Sequence, residues 1–111
     1  MQDIAVIVSG YDAKQSITLT KGDQTFAINS SATVKVAIID TDRSSIILSA
    51  VTSLRTEAGA DWANSLIVVE FPKELTAVIQ EFGDALLEIQ VDDGITLPWY
   101  VDAVILKGLV Q

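Results

Sequence analysis

The feature that most constrains this chain is its content of side chains branched at Cβ. Valine, isoleucine and threonine supply 34 of the 111 residues. Branching at Cβ restricts a side chain in a helix and suits it to a pleated strand. The length is that of one domain with a real core, and half of the residues are apolar. We therefore expect a single β domain over residues 1–111.

Apolar and polar residues alternate along short segments, with turn-forming residues between them. Ile17 and Leu19, for example, are separated by Thr18. A period of two is the spacing of side chains on one face of a strand. Together with turns at 21–23, 41–45 and 92–94, this pattern predicts strands within residues 16–20, 25–28, 33–40, 46–54, 66–71, 85–91 and 99–106.

One segment departs from the strand period. Apolar residues at 71, 75, 78, 79 and 82 recur at the spacing of one helix face. Pro72 suits a first helical turn, and Gly83 suits a helix end. The sequence therefore predicts one short helix around residues 72–82.

Several short strands with turns between them, plus one helix, are typical of two packed sheets. The predicted fold is mainly β, a two-layer antiparallel β-sandwich of immunoglobulin-like type with that single short helix. We see no internal repeat, low-complexity tract or linker in the sequence.

The absence of cysteine and histidine limits the chemistry of the chain. It excludes disulfide scaffolds, thiolate nucleophiles, zinc fingers and triads that need an imidazole. Asp40 and Asp42 are spaced like calcium ligands, but Arg43 follows where a calcium loop needs further oxygen ligands and a glycine. We therefore predict no catalytic residues, no metal site, no cofactor and no enzymatic activity.

Charge and hydropathy narrow the choice of partners. The net charge of −8 has the wrong sign for binding a phosphate backbone, so we expect no nucleic-acid partner. Polar residues interrupt every apolar run well before it reaches the length of a membrane span. The first residues, Met1, Gln2 and Asp3, are not those of a basic signal-peptide start, which favours synthesis in the cytoplasm without export.

The predicted strands carry more apolar residues than two half-buried sheets need. In a two-layer sandwich each sheet keeps one face in water, and a large apolar patch on that face marks an interaction surface. The short apolar segment containing Ile4 and Val6 adds a strand that can pair with a neighbour's edge. The predicted interface residues, which imply a homo-oligomer or another protein partner, are Ile4, Val6, Ile39, Ile47, Val51, Ile67 and Val69.

The order of the segments resembles a small immunoglobulin-like β-sandwich module of bacteriophage tail and baseplate structural proteins. Residues 17–26, with Lys21, Gly22 and Asp23 at a turn, look like the opening of that module. Residues 66–71, the Thr76-Ala77 pair and residues 87–94 look like its later parts in the same order. The resemblance implies a virion component and carries over no catalytic residue.

These observations leave two hypotheses from different classes. The first is a non-enzymatic structural or assembly protein, a phage-like tail, neck or baseplate component that acts through contacts with copies of itself or with other virion proteins. It would be made in the cytoplasm and then incorporated into the virion. The alternative is a small carbohydrate- or ligand-binding module that stacks its ligand on exposed Trp62, Trp99 or Tyr100.

Overall fold

The computed structural model describes residues 4–22 and 24–109, and most of them lie in strands. The strands are β1 (Ala5–Val8), β2 (Ala13–Thr18), β3 (Thr20–Lys21), β4 (Gln24–Thr25), β5 (Thr33–Ile39), β6 (Ile46–Ser53), β7 (Leu66–Phe71), β8 (Gly83–Asp92) and β9 (Thr96–Leu106). A 3-10 turn at Trp62–Asn64 precedes β7, and a short helix α1 at Lys73–Thr76 follows it. Asp23, predicted to lie in a turn, falls outside the described residues.

The strands form two layers. Five of them make one sheet in the order β1-β9-β8-β5-β6, β2 pairs with β7 in the second layer, and β3 and β4 form a small hairpin. All of these pairs are antiparallel except β1 and β9, which run parallel with Ala5 beside Ala103. This pair is the one parallel exception among the described strands of the predicted antiparallel sandwich. No hairpin joins the two strands, which are the first and last of the domain, so their direction is set by packing and not by a turn.

This strand order is that of an immunoglobulin-like sandwich, and the predicted fold class is confirmed. Strands β5, β8 and β9 take the places of strands C, F and G, β6 extends that sheet, and β2 and β7 take the places of B and E. Antibody domains join B to F with a disulfide next to a tryptophan on C. Here the chain has no cysteine, and β5 carries no tryptophan.

Aliphatic side chains hold the two layers together. Alternate residues of each long strand point inward, as in β8, where Ala85, Leu87, Ile89 and Val91 are all buried. The bulkiest fully buried side chains come from both layers and form one continuous core: Ile7, Leu19, Ile38, Ile67, Phe71, Leu87, Ile89 and Ile105.

The predicted helix over residues 72–82 is much shorter in the structure. Helical hydrogen bonding stops near Ala77, and Val78 and Phe82 are exposed while Ile79 is buried. The helical spacing of apolar residues is therefore not the spacing of one buried face. Three β-branched residues in four positions, at 76, 78 and 79, weaken the helix, and the segment turns into β8 at Gly83, whose φ is +111°.

A buried threonine joins α1 to the turn between β1 and β2. The Thr76 side-chain oxygen accepts a hydrogen bond from the Gly10 amide at 3.1 Å and donates to the Tyr11 carbonyl at 2.7 Å. Nearby, the buried Ser9 hydroxyl accepts from the Gly108 amide at 2.9 Å, just beyond β9. The turn after β1 is therefore tied both to the helix and to the end of the last strand.

We expect Thr76→Val to destabilise the fold by about 1–3 kcal/mol, because it leaves the Gly10 amide and the Tyr11 carbonyl without their buried partner. Urea unfolding followed by circular dichroism measures the effect. Thr25→Val, at an exposed position of β4, is the matched control and should unfold within about 0.5 kcal/mol of the parent chain. Equal midpoints for the two variants would contradict a structural role for the Thr76 hydroxyl.

Candidate interaction surface

The outer side of the parallel β1–β9 pair is apolar and open to solvent. Val6 lies beside Val104, and Val8 beside Leu106, so their side chains form two neighbouring rows on one face. Ile4, directly before β1, is 59% exposed, Val6 45% and Leu106 47%, while Val8 and Val104 are half-buried. We call these five residues the β1–β9 outer face. Of the predicted interface residues, Ile4 and Val6 belong to it.

Three predicted interface residues lie inside the protein, and their prediction as exposed contact residues is wrong. Ile67 and Val69 are fully buried because that face of β7 is the inward one. The other face of β7 is apolar too, since Val68 is buried next to Gly59 of the 54–61 loop. Ile39 is 5% exposed, although it lies on the side of β5 away from the core cluster, next to the turn at 40–45.

The two remaining predicted interface residues, Ile47 and Val51, occupy an intermediate position. Both lie on β6, at the edge of the five-stranded sheet, and both are half-buried against the core cluster. The ladder between β5 and β6 shifts register around Ile38, so β6 does not keep a regular alternation of inward and outward side chains. Most of their surface is therefore used within the fold.

Of the three predicted stacking aromatics, Trp62 is buried and Tyr100 has one ring face occupied. Trp62 is 5% exposed and belongs to the core cluster, and its indole nitrogen has no hydrogen-bond partner among the described residues. One face of the Tyr100 ring is occupied, because the Arg43 guanidinium lies 3.8 Å from the centre of the ring. Its hydroxyl donates to Glu88 at 3.0 Å. This hydrogen bond to a carboxylate, with partial burial, raises the pKa of Tyr100.

The third aromatic, Trp99, lines a groove between the two layers. Its indole N–H donates to the Thr20 carbonyl at 2.9 Å, and Phe26 packs against it with the ring centres 4.9 Å apart. The groove has a volume of about 570 Å³ and runs between β2 and the first half of β9. We call it the β2–β9 groove; its lining is Ala5, Gln15, Ser16, Ile17, Thr18, Leu19, Thr20, Trp99, Tyr100 and Val101.

The turn between β5 and β6 uses the aspartate that resembles a calcium ligand. The Asp40 carboxylate accepts hydrogen bonds from the Ser44 amide at 2.8 Å and the Ser44 hydroxyl at 2.9 Å. These bonds lower the pKa of Asp40. They also shape the turn in which Arg43 adopts a φ of +60° and extends over Tyr100. The role of Asp40 that the geometry supports is structural.

Over residues 4–22 and 24–109, no group of three or more acidic side chains comes together in a way that could hold a metal ion. In the same ranges, no helix is long and apolar enough to span a membrane. The candidate sites are two surfaces, the β1–β9 outer face and the β2–β9 groove.

No family model matches the sequence. No curated protein matches it either. Among solved structures, the chain is similar to the ZIG-8–RIG-5 IG1–IG1 heterodimer, with 15% identity and a TM-score of 0.36 over 96% of this chain and 83% of that one. It is also similar to the ZIG-8 IG1 homodimer, with 14% identity and a TM-score of 0.39 over 96% and 81%. Both TM-scores are too low for either likeness to say what this chain does.

We expect Asp40→Asn to destabilise the fold at neutral pH but not in acid. The folded pKa of Asp40 lies below its unfolded value, so its stabilising effect is present above the unfolded pKa, about 3.9. That effect is lost as the pH falls through the folded pKa. The difference between the urea midpoints of the two chains should be largest near neutral pH and should shrink as the pH falls through the folded pKa of Asp40. A difference that does not change with pH would show that the carboxylate charge plays no part.

Proposed function

We propose that the chain is a non-enzymatic structural subunit of a phage-like virion, in its tail, neck or baseplate, and that it acts through protein–protein contacts. The observation that carries the proposal is the β1–β9 outer face, where Ile4, Val6 and Leu106 lie exposed on one side of a regular strand pair. Contiguous apolar surface of this kind is typical of a face that another protein covers.

The position of this face in the fold favours assembly. It lies at the end of the five-stranded sheet, because β1 is the edge strand. A second protein can approach it without meeting the other layer of the sandwich. The net charge of −8 makes free subunits repel one another and favours solubility. Assembly then requires a partner face of matching shape that displaces water from the β1–β9 outer face.

The virion assignment has a separate support, which is the order of the segments. The parts that resemble the phage module fall on β2 to β4, on β7 and α1, and on β8 with its hairpin turn. In that turn Gly94 has a φ of +88°, as the Asp-Gly pair predicts. The resemblance rests on the order of these segments along the chain, and the segments coincide with strands, a short helix and a turn.

The ligand-binding alternative loses support from the burial of Trp62 and from the Arg43 guanidinium that occupies one face of Tyr100. A stacking platform needs a free ring face, and the indole of Trp99 is held against Phe26 and Thr20 at the wall of a groove. We therefore propose contacts between proteins as the function, without a catalytic step, cofactor, nucleic acid or membrane. Synthesis in the cytoplasm followed by incorporation into particles is part of the same proposal.

Val6→Lys should raise the protein concentration needed for assembly by roughly a hundredfold, because an unpaired charge would have to enter an apolar contact. Light scattering after size exclusion, over a range of protein concentration, measures the native mass. The parent chain should form a species that persists on dilution, and the variant should elute as a monomer of 11.9 kDa. Ile95→Lys is the control. It makes the same change of charge at a residue that is 74% exposed, in the turn between β8 and β9.

A parent chain that is monomeric at every concentration would contradict self-assembly, and equal loss in both lysine variants would contradict this placement of the face. Ile67→Lys is unsuitable for this test, because Ile67 is fully buried and a lysine there would unfold the chain.

The virion part of the proposal predicts that the chain is found in particles. We expect mass spectrometry to detect it in density-gradient fractions of particles released from the source cells after prophage induction. It should stay with the particles after a high-salt wash. Recovery of the chain in the soluble fraction alone would overturn the virion assignment and leave the test of assembly unaffected.

A further inference from the structure

We propose that the β2–β9 groove accepts an extended, uncharged segment of a partner protein, which adds a third strand to the second sheet along β2. This inference rests on the proposed function, because it names the kind of contact by which a structural subunit holds its neighbour. It concerns a different surface from the β1–β9 outer face.

The added strand would pair with the edge of β2 that faces away from β7. The Leu19 amide donates to the Ser65 carbonyl, in register with the ladder between β2 and β7, so the odd-numbered residues of β2 direct their main-chain groups to β7. Ser16 and Thr18 therefore direct their amides and carbonyls to the opposite edge. In the described part of the chain no strand pairs with that edge.

The first half of β9 forms the opposite wall in the same way. The Leu106 carbonyl accepts from the Ser9 amide, so the even-numbered residues of β9 face the side on which β1 lies. Strand β1 pairs only with residues 103–106 of β9, so the main-chain groups of Tyr100 and Pro98 lie on the part of that edge that β1 does not reach. Pro98 has no N–H group, and a proline on a strand edge hinders pairing with another strand. Ser16 and Thr18 on β2 keep their N–H groups, so this edge can accept a strand.

The lining indicates which segment fits. Charged residues make up 20% of the chain, yet no charged residue lines the groove, so it matches a neutral segment. Ile17, Leu19 and Val101 provide an apolar floor, and Ser16, Thr18 and Thr20 provide hydroxyls at the rim. A strand with small apolar side chains inward and polar ones outward meets both conditions.

The small number of strands in the second layer also favours an added strand. It contains β2 and β7 against five strands in the first layer, and a two-stranded sheet is marginal by itself. The six consecutive residues 15–20, which line the groove, span about 20 Å. Trp99 is held in place at the opposite wall by Thr20 and Phe26, so this wall is formed before any partner arrives.

The test uses the full chain, labelled with nitrogen-15, and a capped six-residue peptide of alternating threonine and valine as the probe. We expect saturable shifts of the Ser16 and Thr18 amides and of the Trp99 indole N–H. Two further peptides carry N-methyl groups either on every threonine or on every valine. One of them should bind at least about tenfold more weakly, because it loses the N–H groups that face β2, and the other should bind like the parent peptide.

Protein variants separate the groove from the rest of the surface. Thr18→Pro removes one edge amide without touching the ladder to β7, and it should weaken binding by about tenfold. If that chain does not fold, Thr18→Lys places a charge on the rim and should have a similar effect. Thr25→Lys makes the same change of charge on β4, outside the groove lining, and should leave binding unchanged.

Three results would overturn the proposal: no shifts at millimolar peptide, equal binding of both methylated peptides, or binding that appears only after residues 1–3 are removed. The last result would assign the groove to the start of the chain itself. If the peptide does not bind but the chain still self-assembles, the proposal for the groove is contradicted and the proposed function is not. If the chain binds the peptide but neither assembles nor enters particles, the proposed function is contradicted and the proposal for the groove is supported.

Discussion

The packing of aliphatic side chains between the two layers is the constraint on which the rest of this structure depends. Without a disulfide between β2 and β8, the layers are held by one buried cluster, which contains Ile17 and Ile67 of the second layer together with the inward residues of β8. Each buried side chain of this kind contributes roughly 1.5–3 kcal/mol relative to an exposed one. The core must therefore be dry and well filled, and this need explains the many valines and isoleucines.

Filling the core in this way determines where sites can form. The inner faces are committed to packing, so contact with other molecules is left to the outer faces and the strand edges. Polar contacts such as those of Thr76 and Asp40 fix turns and connections at the periphery. The two candidate surfaces both lie where strand pairing is incomplete, one on the outer side of the edge strand β1 and the other along the unpaired edge of β2.

Local patterns predicted much of this fold, since alternation and turn residues act over a few positions. The strands β5, β8 and β9 and the Asp-Gly hairpin follow from such patterns. Alternation failed to identify the inward side of β7, because Ile67, Val68 and Val69 are all apolar and all buried. The 54–61 loop that covers Val68 is a long-range contact, and nothing local indicates it. The helix was overestimated for a related reason, since Val78 and Phe82 have the right spacing but no surface to pack against. The β2–β9 groove was missed because strand edges depend on which strands pair across the whole chain.

The parallel pairing of β1 with β9 also has a mechanical consequence. In a parallel ladder the start of one strand and the end of the other lie at opposite ends, so Ala5 and Leu106 are separated by the length of the pair. A force that pulls these ends apart runs along the strands and across their hydrogen bonds. All of the bonds in the ladder then share the load and must break together, whereas a hairpin pulled at its open end unzips one bond at a time. A subunit loaded through its first and last strands would therefore resist tension in the direction in which this ladder is strongest.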